Sequence, residues 1–476
     1  MGWRTLIGLE IHVELMTKKK IYCNCKNEFG GEVNTHVCPV CLGLPGALPV
    51  IDKECLEFGI KAGLAFNSEI AEVVRMDRKN YFYPDLVKGY QISQSDLPLC
   101  EGGYLEIDLP EGSKRINLER IHIEEDTGKQ IHNDDGTTLL DFNRCGVPLI
   151  EIVSKPDISS AEEARLFLDK LRSTIKYVGI SDVRMEEGSL RCDVNINVID
   201  DERGIKSKIT EIKNLNSFKS VVKTIEFEEK RHIELLEKGE NTDRETRRWD
   251  EVAGETILMR RKYTAEDYRF CYDGDLPPLM VDRNWLEEIK AAMPELPHAK
   301  KVRFISDYGL SDYDASVLTQ SRELADFFEE TVKHVDDSKL VANWMMGDVL
   351  RRLKEEEKEI QELQISSKDL AELLILVRDG KINNNTGKKV LRDMFETGKS
   401  PETIVTEQGL IQISDEGALA EAVDKILDAN PQSIDDYKNG KDRAVGFLMG
   451  QIMKETKGKA NPQVVSSILS EKLKNR

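Results

Sequence analysis

The hydrophobic pattern of this 476-residue chain changes period at Met293-Pro294-Glu295-Leu296-Pro297. Ahead of that point, short segments alternate apolar and polar residues, as at 5–16, 114–124 and 191–198, with Gly and Asn-Asp turns between them. A period of two predicts antiparallel strands, one face buried and one polar. One helix stands out among them: Ser160-x-x-Glu163 reads as a capping box ahead of a periodic run over 164–177. Beyond Pro297 the spacing is helical, over 316–335, 338–359, 368–378 and 418–429, with turn signals at 383–385 and at Asn430-Pro431. The expected fold is therefore an α+β region followed by an all-α region, in a chain long enough for two or three domains.

No run of residues is apolar enough to cross a bilayer, so no membrane association is expected. The opening Met1-Gly-Trp-Arg-Thr5 leads straight into a strand pattern, without the apolar stretch of a secretory signal, so a cytoplasmic location is expected. The formal charge of −19 is unevenly placed. Residues 438–476 hold nine Lys or Arg against three acids, a local +6 that leaves −25 on the rest. Two readings of that tail stand: a contact for an anionic partner, or a solvated helical face.

Four of the nine cysteines cluster as Cys23-Asn-Cys25 and Cys38-Pro-Val-Cys41. Soft donors on short loops suit tetrahedral Zn²⁺, and Cys-x-x-Cys is the usual knuckle spacing, although the first pair is Cys-x-Cys. An all-thiol site is closed and hence structural; unligated cysteines are the alternative. Cys55, Cys100, Cys145, Cys192 and Cys271 are scattered and read as small buried apolar residues.

In Leu6-Ile-Gly-Leu-Glu10-Ile-His12-Val-Glu14-Leu15 the alternation puts Ile7, Leu9, Ile11 and Val13 on one face and Glu10, His12 and Glu14 on the other. Two more segments carry carboxylates where a strand is otherwise apolar: Ile121-His-Ile-Glu-Glu125-Asp126, and Gly146-Val-Pro-Leu-Ile-Glu151-Ile-Val153. A buried lone Glu is costly unless something positive faces it. A divalent cation gathered by Glu10, His12, Glu125 and Glu151 removes that cost. Mg²⁺ with phosphate is the usual occupant of such a set, while the imidazole better suits Mn²⁺ or Zn²⁺, so chemistry alone leaves the metal open. The segment Asp77-Arg-Lys79-Asn80-Tyr81-Phe-Tyr83 supplies cationic and amide groups of the kind that bind polyphosphate, with aromatic packing as the competing role of its rings.

Two further motifs are decoys. Thr397-Gly398-Lys399-Ser400 lacks the first glycine of a phosphate loop, which falls on Asp393. Ser366-Ser367-Lys368 lacks the glycine-rich surround of an amidase nucleophile and reads as a helix N-cap. No route to hydrolyse an amide is visible in this chain.

Taken together, these motifs resemble a known family. The segments starting at Ile7, Cys38, Asp77, Glu124 and Gly146 do so, with Gly188-Ser-Leu-Arg-Cys-Asp193, Glu211-Ile-Lys-Asn-Leu-Asn-Ser-Phe218, Gly450-Gln-Ile-Met-Lys454 and Lys457-Gly-Lys-Ala-Asn-Pro462. In order and over nearly the whole chain, they are similar to the GatB branch of the GatB/GatE family of aspartyl/glutamyl-tRNA amidotransferase subunits. The GatE branch carries an inserted synthetase-like domain for which this chain has no room. The resemblance implies an antiparallel-sheet catalytic domain with a glutamine-synthetase-like cradle over 1–294, a helical domain over 295–405 and a YqeY-like tRNA-binding tail over 406–476. It implies Mg²⁺ and ATP, a structural Zn²⁺, a GatA-like glutaminase partner and a small GatC-like partner. The implied activity is phosphorylation of the side-chain carboxylate of Glu-tRNA(Gln) or Asp-tRNA(Asn), followed by ammonia transfer. The family's metal ligands fall on Glu10, His12, Glu125 and Glu151. Lys79, Asn80 and Tyr81 are expected at ATP or substrate, and Lys454, Lys457 and Lys459 at tRNA. Departures from the family pattern at Val87, 197–200 and 263–271 bear on recognition of the acceptor end.

Overall fold

The computed structural model describes residues 2–261, 268–411, 416–438, 443–456 and 460–475. Two compact units result, Met1–Leu296 and Pro297–Arg476.

The first unit is built on an eleven-stranded sheet. The strands that matter for the site are β1 (Trp3–Glu14), β2 (Asp77–Asn80), β3 (Tyr90–Ser93), β4 (Gly112–Glu125), β5 (Pro148–Ser154), β6 (Leu190–Asp200), β7 (Thr210–Leu215), β8 (Glu245–Asp250) and β9 (Glu255–Arg261). Across the sheet the order is β9-β8-β7-β6-β1-β5-β4, and the short strands Cys100–Glu101 and Glu69–Ile70 extend it beyond β4. β2 and β3 belong to a separate three-stranded sheet with Cys271–Tyr272. The large sheet is mixed rather than wholly antiparallel, because β7 and β8 run parallel. A parallel pair needs a long crossover, and the helix Phe218–Glu237 supplies it.

Alternation along β1 is as the sequence pattern requires. Ile7, Leu9, Ile11 and Val13 are fully buried, while Glu10, His12 and Glu14 are half-buried on the opposite face. The apolar face is covered by α1 (Lys53–Ala65), α2 (Ala161–Val178) and α3 (Phe218–Glu237), whose Ile60, Phe167, Leu171, Val221 and Ile225 join one core with it. At about 1.5–3 kcal/mol for each large apolar side chain fully buried, this layer holds the register of the sheet. A one-residue slip would turn every apolar residue of β1 outward. Ser160 caps α2 by accepting from the Glu163 N–H at 3.2 Å. The return bond differs from the expected box, since the Glu163 carboxylate accepts from the Ser159 N–H at 2.7 Å and from Lys114.

The described part of the second unit is helical. Two runs that read as single helices are interrupted. Segment 316–335 divides into Asp312–Leu318 and Arg322–Val335, because the Ser321 hydroxyl accepts from the Leu324 N–H and starts a new helix. Segment 338–359 contains a π turn over Met345–Val349, followed by Leu350–Glu355. Ser366 accepts from the Asp369 N–H and Asp369 reaches back to it, which is a capping box and not a nucleophile arrangement. Gly398 ends one helix in the left-handed conformation and Ser400 caps the next, so the phosphate-loop look-alike joins two helices. Toward the C-terminus, Leu419, Val423, Leu427, Leu448, Ile452, Val465 and Leu469 form an apolar cluster of their own. Among the described residues no helix is long and apolar enough to cross a membrane.

Candidate active site

The polar face of β1 carries three clusters, one for each of Glu10, His12 and Glu14. Residues two apart on a strand are separated by roughly 6–7 Å, so each meets a different set of partners.

His12 stands opposite Glu151 of β5, and Glu151 stands opposite His122 of β4. Opposed residues share a face, so an imidazole, a carboxylate and a second imidazole line up across three strands. Glu124, two residues along β4 from His122, joins them. His12 Nε2 lies 3.6 Å from Glu151 Oε2 and 3.8 Å from Glu124 Oε2. Donor atoms of His12, Glu124 and Glu151 all lie within 4.8 Å of one another. Glu124 is held by the Ser93 hydroxyl at 2.7 Å and the Gln91 amide at 3.3 Å, and the Lys79 ammonium stands 4.0 Å away. Burial opposes the charge on Glu124, but Lys79 and the His122 hydrogen bond outweigh it and hold its pKa at about 2. Burial likewise opposes charge on Glu151, which His122 and His12 hold well below the ordinary carboxylate range. His122 loses to burial but gains more from Glu151 and Glu124, and its pKa rises to about 9. Both carboxylates are thus anionic at neutral pH, as a cation site requires.

Glu10 belongs to a second cluster, with Asp193 of β6 and Glu211 of β7, again within 4.8 Å of one another. The Asn195 amide donates to Glu10 at 2.8 Å. Lys213 bonds Asp193 and stands 3.5 Å from Glu211. Burial disfavours its ammonium, yet Asp193 and Glu211 raise it above the ordinary lysine value. Glu14 meets Arg191 at 3.3 Å, and Arg191 in turn pairs with Asp126. Burial first, and Asp126 second, push Glu14 up to about 8 against the pull of Arg191.

The structure therefore brings His12 and Glu151 together and leaves Glu10 and Glu125 elsewhere. Glu125 is turned the other way, accepting from Lys88 and from the Ile92 N–H at 2.9 Å. Neighbouring residues on a strand point to opposite faces, so Glu124 and Glu125 meet different partners here. Parity along Ile121-His122-Ile123-Glu124 is the signal that selects Glu124, since it keeps step with His122. Asp193, Glu211 and Lys213 come from strands whose neighbours the sequence does not reveal.

Lys79, Asn80, Tyr81, Phe82 and Tyr83 line a cleft with Lys213, Arg260, Tyr268 and Arg269. Lys79 and Lys213 connect this cleft to the two carboxylate clusters, and Lys79 also lies 5.2 Å over the Tyr268 ring. Asn80 is engaged in structure: its amide donates to the Arg269 carbonyl at 2.8 Å. Tyr81 stacks edge-on against Tyr83 and Tyr268, with centroids 6.1 and 6.0 Å away, and donates to Gln91 at 3.1 Å. The exposed Phe82 has no ring partner among those contacts.

Cys23, Cys25, Cys38 and Cys41 place their sulfurs within 4.8 Å of one another, a donor set that fits a tetrahedral thiophilic ion. The Cys38 N–H donates to Cys41 Sγ at 3.1 Å, and the fully buried Lys20 ammonium lies 3.8 Å from the same sulfur. A hydrogen bond from Cys23, opposed by burial and aided by Lys20, draws the Cys41 thiol down to about 5. Gly146 has φ +79, and any side chain there would start 3.6 Å from the Cys41 Cβ. The remaining cysteines are buried except Cys271, which is exposed.

Of the tail lysines, Lys454 is exposed on the helix Arg443–Glu455. Lys457 and Lys459 lie outside the described residues.

Comparison with known proteins decides the family. The GatB/GatE catalytic domain matches residues 5–287, and the domain described as "GatB domain" matches 326–473. The chain belongs to the GatB/GatE family. Relatives whose names make them subunits of an aspartyl/glutamyl-tRNA(Asn/Gln) amidotransferase include the Finegoldia magna protein, 54% identical over 99% of this chain and 100% of its own length. The Clostridium tetani protein is 55% identical, and the Caldicellulosiruptor saccharolyticus protein 54%, each over 99% of both chains. The matched catalytic segment spans every residue of the three clusters on the β1 face.

Proposed function

We propose that the chain is the kinase and transamidase subunit of a tRNA-dependent amidotransferase. It activates the side-chain carboxylate of Glu-tRNA(Gln) or Asp-tRNA(Asn) with ATP and converts it to the amide. The observation that carries this reading is the His12–Glu124–Glu151 cluster opening beside a cleft with Lys79, Lys213, Arg260 and Arg269.

A carboxylate is a poor electrophile and offers no acceptable leaving group. In the first step a carboxylate oxygen of the tRNA-borne residue attacks the terminal phosphorus of ATP, and the bond to ADP breaks. The products are an acyl phosphate and ADP. In the second step ammonia forms the C–N bond, phosphate departs with the acyl C–O bond broken, and the nitrogen loses a proton. Positioning and charge stabilisation do most of the work in such transfers. Lys79 and Lys213, fixed by Glu124 and by Asp193, present cations to the phosphate oxygens. Tyr81 and Tyr268 offer ring faces and edges to a base or to the acceptor end of tRNA. Two carboxylates and one imidazole fit a divalent ion with open positions, so His12, Glu124 and Glu151 would hold Mg²⁺. Mg²⁺ supplies neutralisation of charge at the transferring phosphoryl group. The cysteine knuckle would hold a structural Zn²⁺.

The same reading gives a cradle-shaped catalytic part over 1–294, a helical part over 295–405 and a tRNA-binding tail over 406–476, the last supported by its own apolar cluster. Without an amidase nucleophile of its own, the chain depends on a GatA-like glutaminase and a GatC-like small subunit, in the cytoplasm. The test is ATP cleavage by the reconstituted complex. Misacylated Glu-tRNA(Gln) or Asp-tRNA(Asn) stimulates it and correctly charged Gln-tRNA does not; equal rates with both would sink the reading.

For the tail, replacing Lys454 with Ala is expected to raise the KM for misacylated tRNA severalfold. The slope of log affinity against log salt should fall by roughly 0.7–0.9 for the lost phosphate contact. Filter binding at several salt concentrations reads this, and an unchanged slope means the tail contacts something else.

A further inference from the structure

His122 of β4 stands in the same row as His12 and Glu151, and the proposed reaction does not use it. It is 2% exposed, and its Nε2 lies 3.1 Å from Glu151 Oε2 and 3.3 Å from Glu124 Oε1. Its Nδ1 is buried and has no hydrogen-bond partner among the described residues. The ring therefore interacts through one nitrogen only, and that nitrogen sits between the two carboxylates.

The two histidines of the row differ in access. His12 flanks Glu151 from one side with 22% of its side chain exposed, and His122 flanks it from the other with 2%. An incoming cation reaches Glu151 and Glu124 from the side of His12, since His122 is sealed. We propose that His122 is a positioning residue. Its Nε2–H draws Glu151 Oε2 and Glu124 Oε1 toward one point and so fixes the separation and aim of the two carboxylates that His12 completes as a cation site. Without it the two anions repel and turn apart, Glu124 toward Ser93 and Gln91, which already hold it at 2.7 and 3.3 Å. The strand register supports this assignment independently of the hydrogen bonds, because His12, Glu151 and His122 are successive opposed residues. Groups that orient metal-binding side chains typically contribute roughly 10–100-fold to metal affinity.

The inference rests on the cation-site reading, and the experiment separates the two. Mn²⁺ is titrated into the full chain and free ion is followed by its electron paramagnetic resonance signal, with Mg²⁺ activation measured in the reconstituted complex. His122→Leu should weaken Mn²⁺ binding by roughly 10–100-fold and raise half-saturating Mg²⁺ similarly, with the KM for misacylated tRNA unchanged. His122→Gln carries an N–H near the place of Nε2 and should recover most of the affinity. Should the Leu variant fail to fold, His122→Asn, whose amide stops short of that place, takes its role, with each variant's melting temperature recorded without metal. Folded Leu or Asn variants that bind Mn²⁺ as the unaltered chain does would overturn the proposal. So would a Gln variant as weak as the Leu variant. Absence of Mn²⁺ binding by the unaltered chain, or binding that survives loss of both Glu124 and Glu151 carboxylates, overturns the cation-site reading and the role of His122 with it.

Discussion

Replacement of Glu151 by Ala is expected to lower ATP-dependent phosphorylation of the aminoacyl group by roughly 10²–10³-fold, with tRNA binding retained. Among the described residues Glu151 is the only carboxylate paired with both imidazoles in the strand register, and Lys79 also acts on it. Its removal takes away the partner that His122 meets at 3.1 Å and would deprive a bound cation of the donor at the centre of the row. Glu124→Ala should act in the same way, because Glu124 supplies the second carboxylate and the anchor for Lys79. Glu125→Ala is the discriminating variant. Glu125 faces Lys88 and the Ile92 N–H on the opposite side of the strand, so its loss should leave Mn²⁺ affinity unchanged while lowering stability through the stranded Lys88. Single-turnover formation of the acyl phosphate, read beside Mn²⁺ titration, separates the three. Loss of Mn²⁺ binding in Glu125→Ala with retention in Glu124→Ala would reverse the assignment.

The choice between these two neighbours shows where sequence reasoning reaches its limit. The alternation in β1 identifies its buried residues because one side of that strand packs on helices and the other does not. At 121–126 burial no longer discriminates, since Ile121, His122, Ile123, Glu124, Glu125 and Asp126 are all buried. Only parity with His122 separates Glu124 from Glu125. Glu10 and His12 share a face, which is why the pattern groups them. A face is not a site, however, and a step of two residues moves Glu10 to Asp193 and Glu211. The parallel pairing of β7 with β8 escapes a reading of local periods because alternation is the same in either orientation. In the helical unit, Ser321 interrupts a pattern whose apolar spacing continues across it. A capping hydroxyl weighs little in periodicity but ends a helix in the backbone. The cysteine knuckle is legible because its two pairs are each close in sequence, whereas nothing in the pattern marks Lys20, which reaches Cys41.

The largest effect expected on stability comes from the layer behind the site. Glu228 on α3 is fully buried, and its carboxylate meets Arg231 at 2.7 Å, His232 at 3.2 Å and Arg247 at 3.5 Å, with the Thr256 hydroxyl donating as well. Arg247 and Thr256 belong to β8 and β9, so one carboxylate ties the crossover helix to the far edge of the sheet. Glu228→Ala leaves Arg231 and Arg247 with Glu245 alone, 3.0 and 3.1 Å away, and removes the partner of His232 and Thr256, so it should cost roughly 3 kcal/mol at neutral pH. The pH dependence follows from the direction of its shift. Burial alone would raise the carboxyl, but His232 and Arg231 outweigh it and depress the folded-state pKa to about 2. The unfolded chain, with an ordinary value of roughly 4.3, binds the proton more readily across that interval. The contribution is therefore complete above the unfolded value and is lost as pH falls from there toward 2. Urea unfolding of the chain at pH 7 and near pH 3, followed by hydrogen exchange of the α3 amides, measures it. The gap between the unaltered chain and Glu228→Gln should narrow at the lower pH. A gap of equal size at both would mean that the carboxylate's charge does not hold α3 to the sheet.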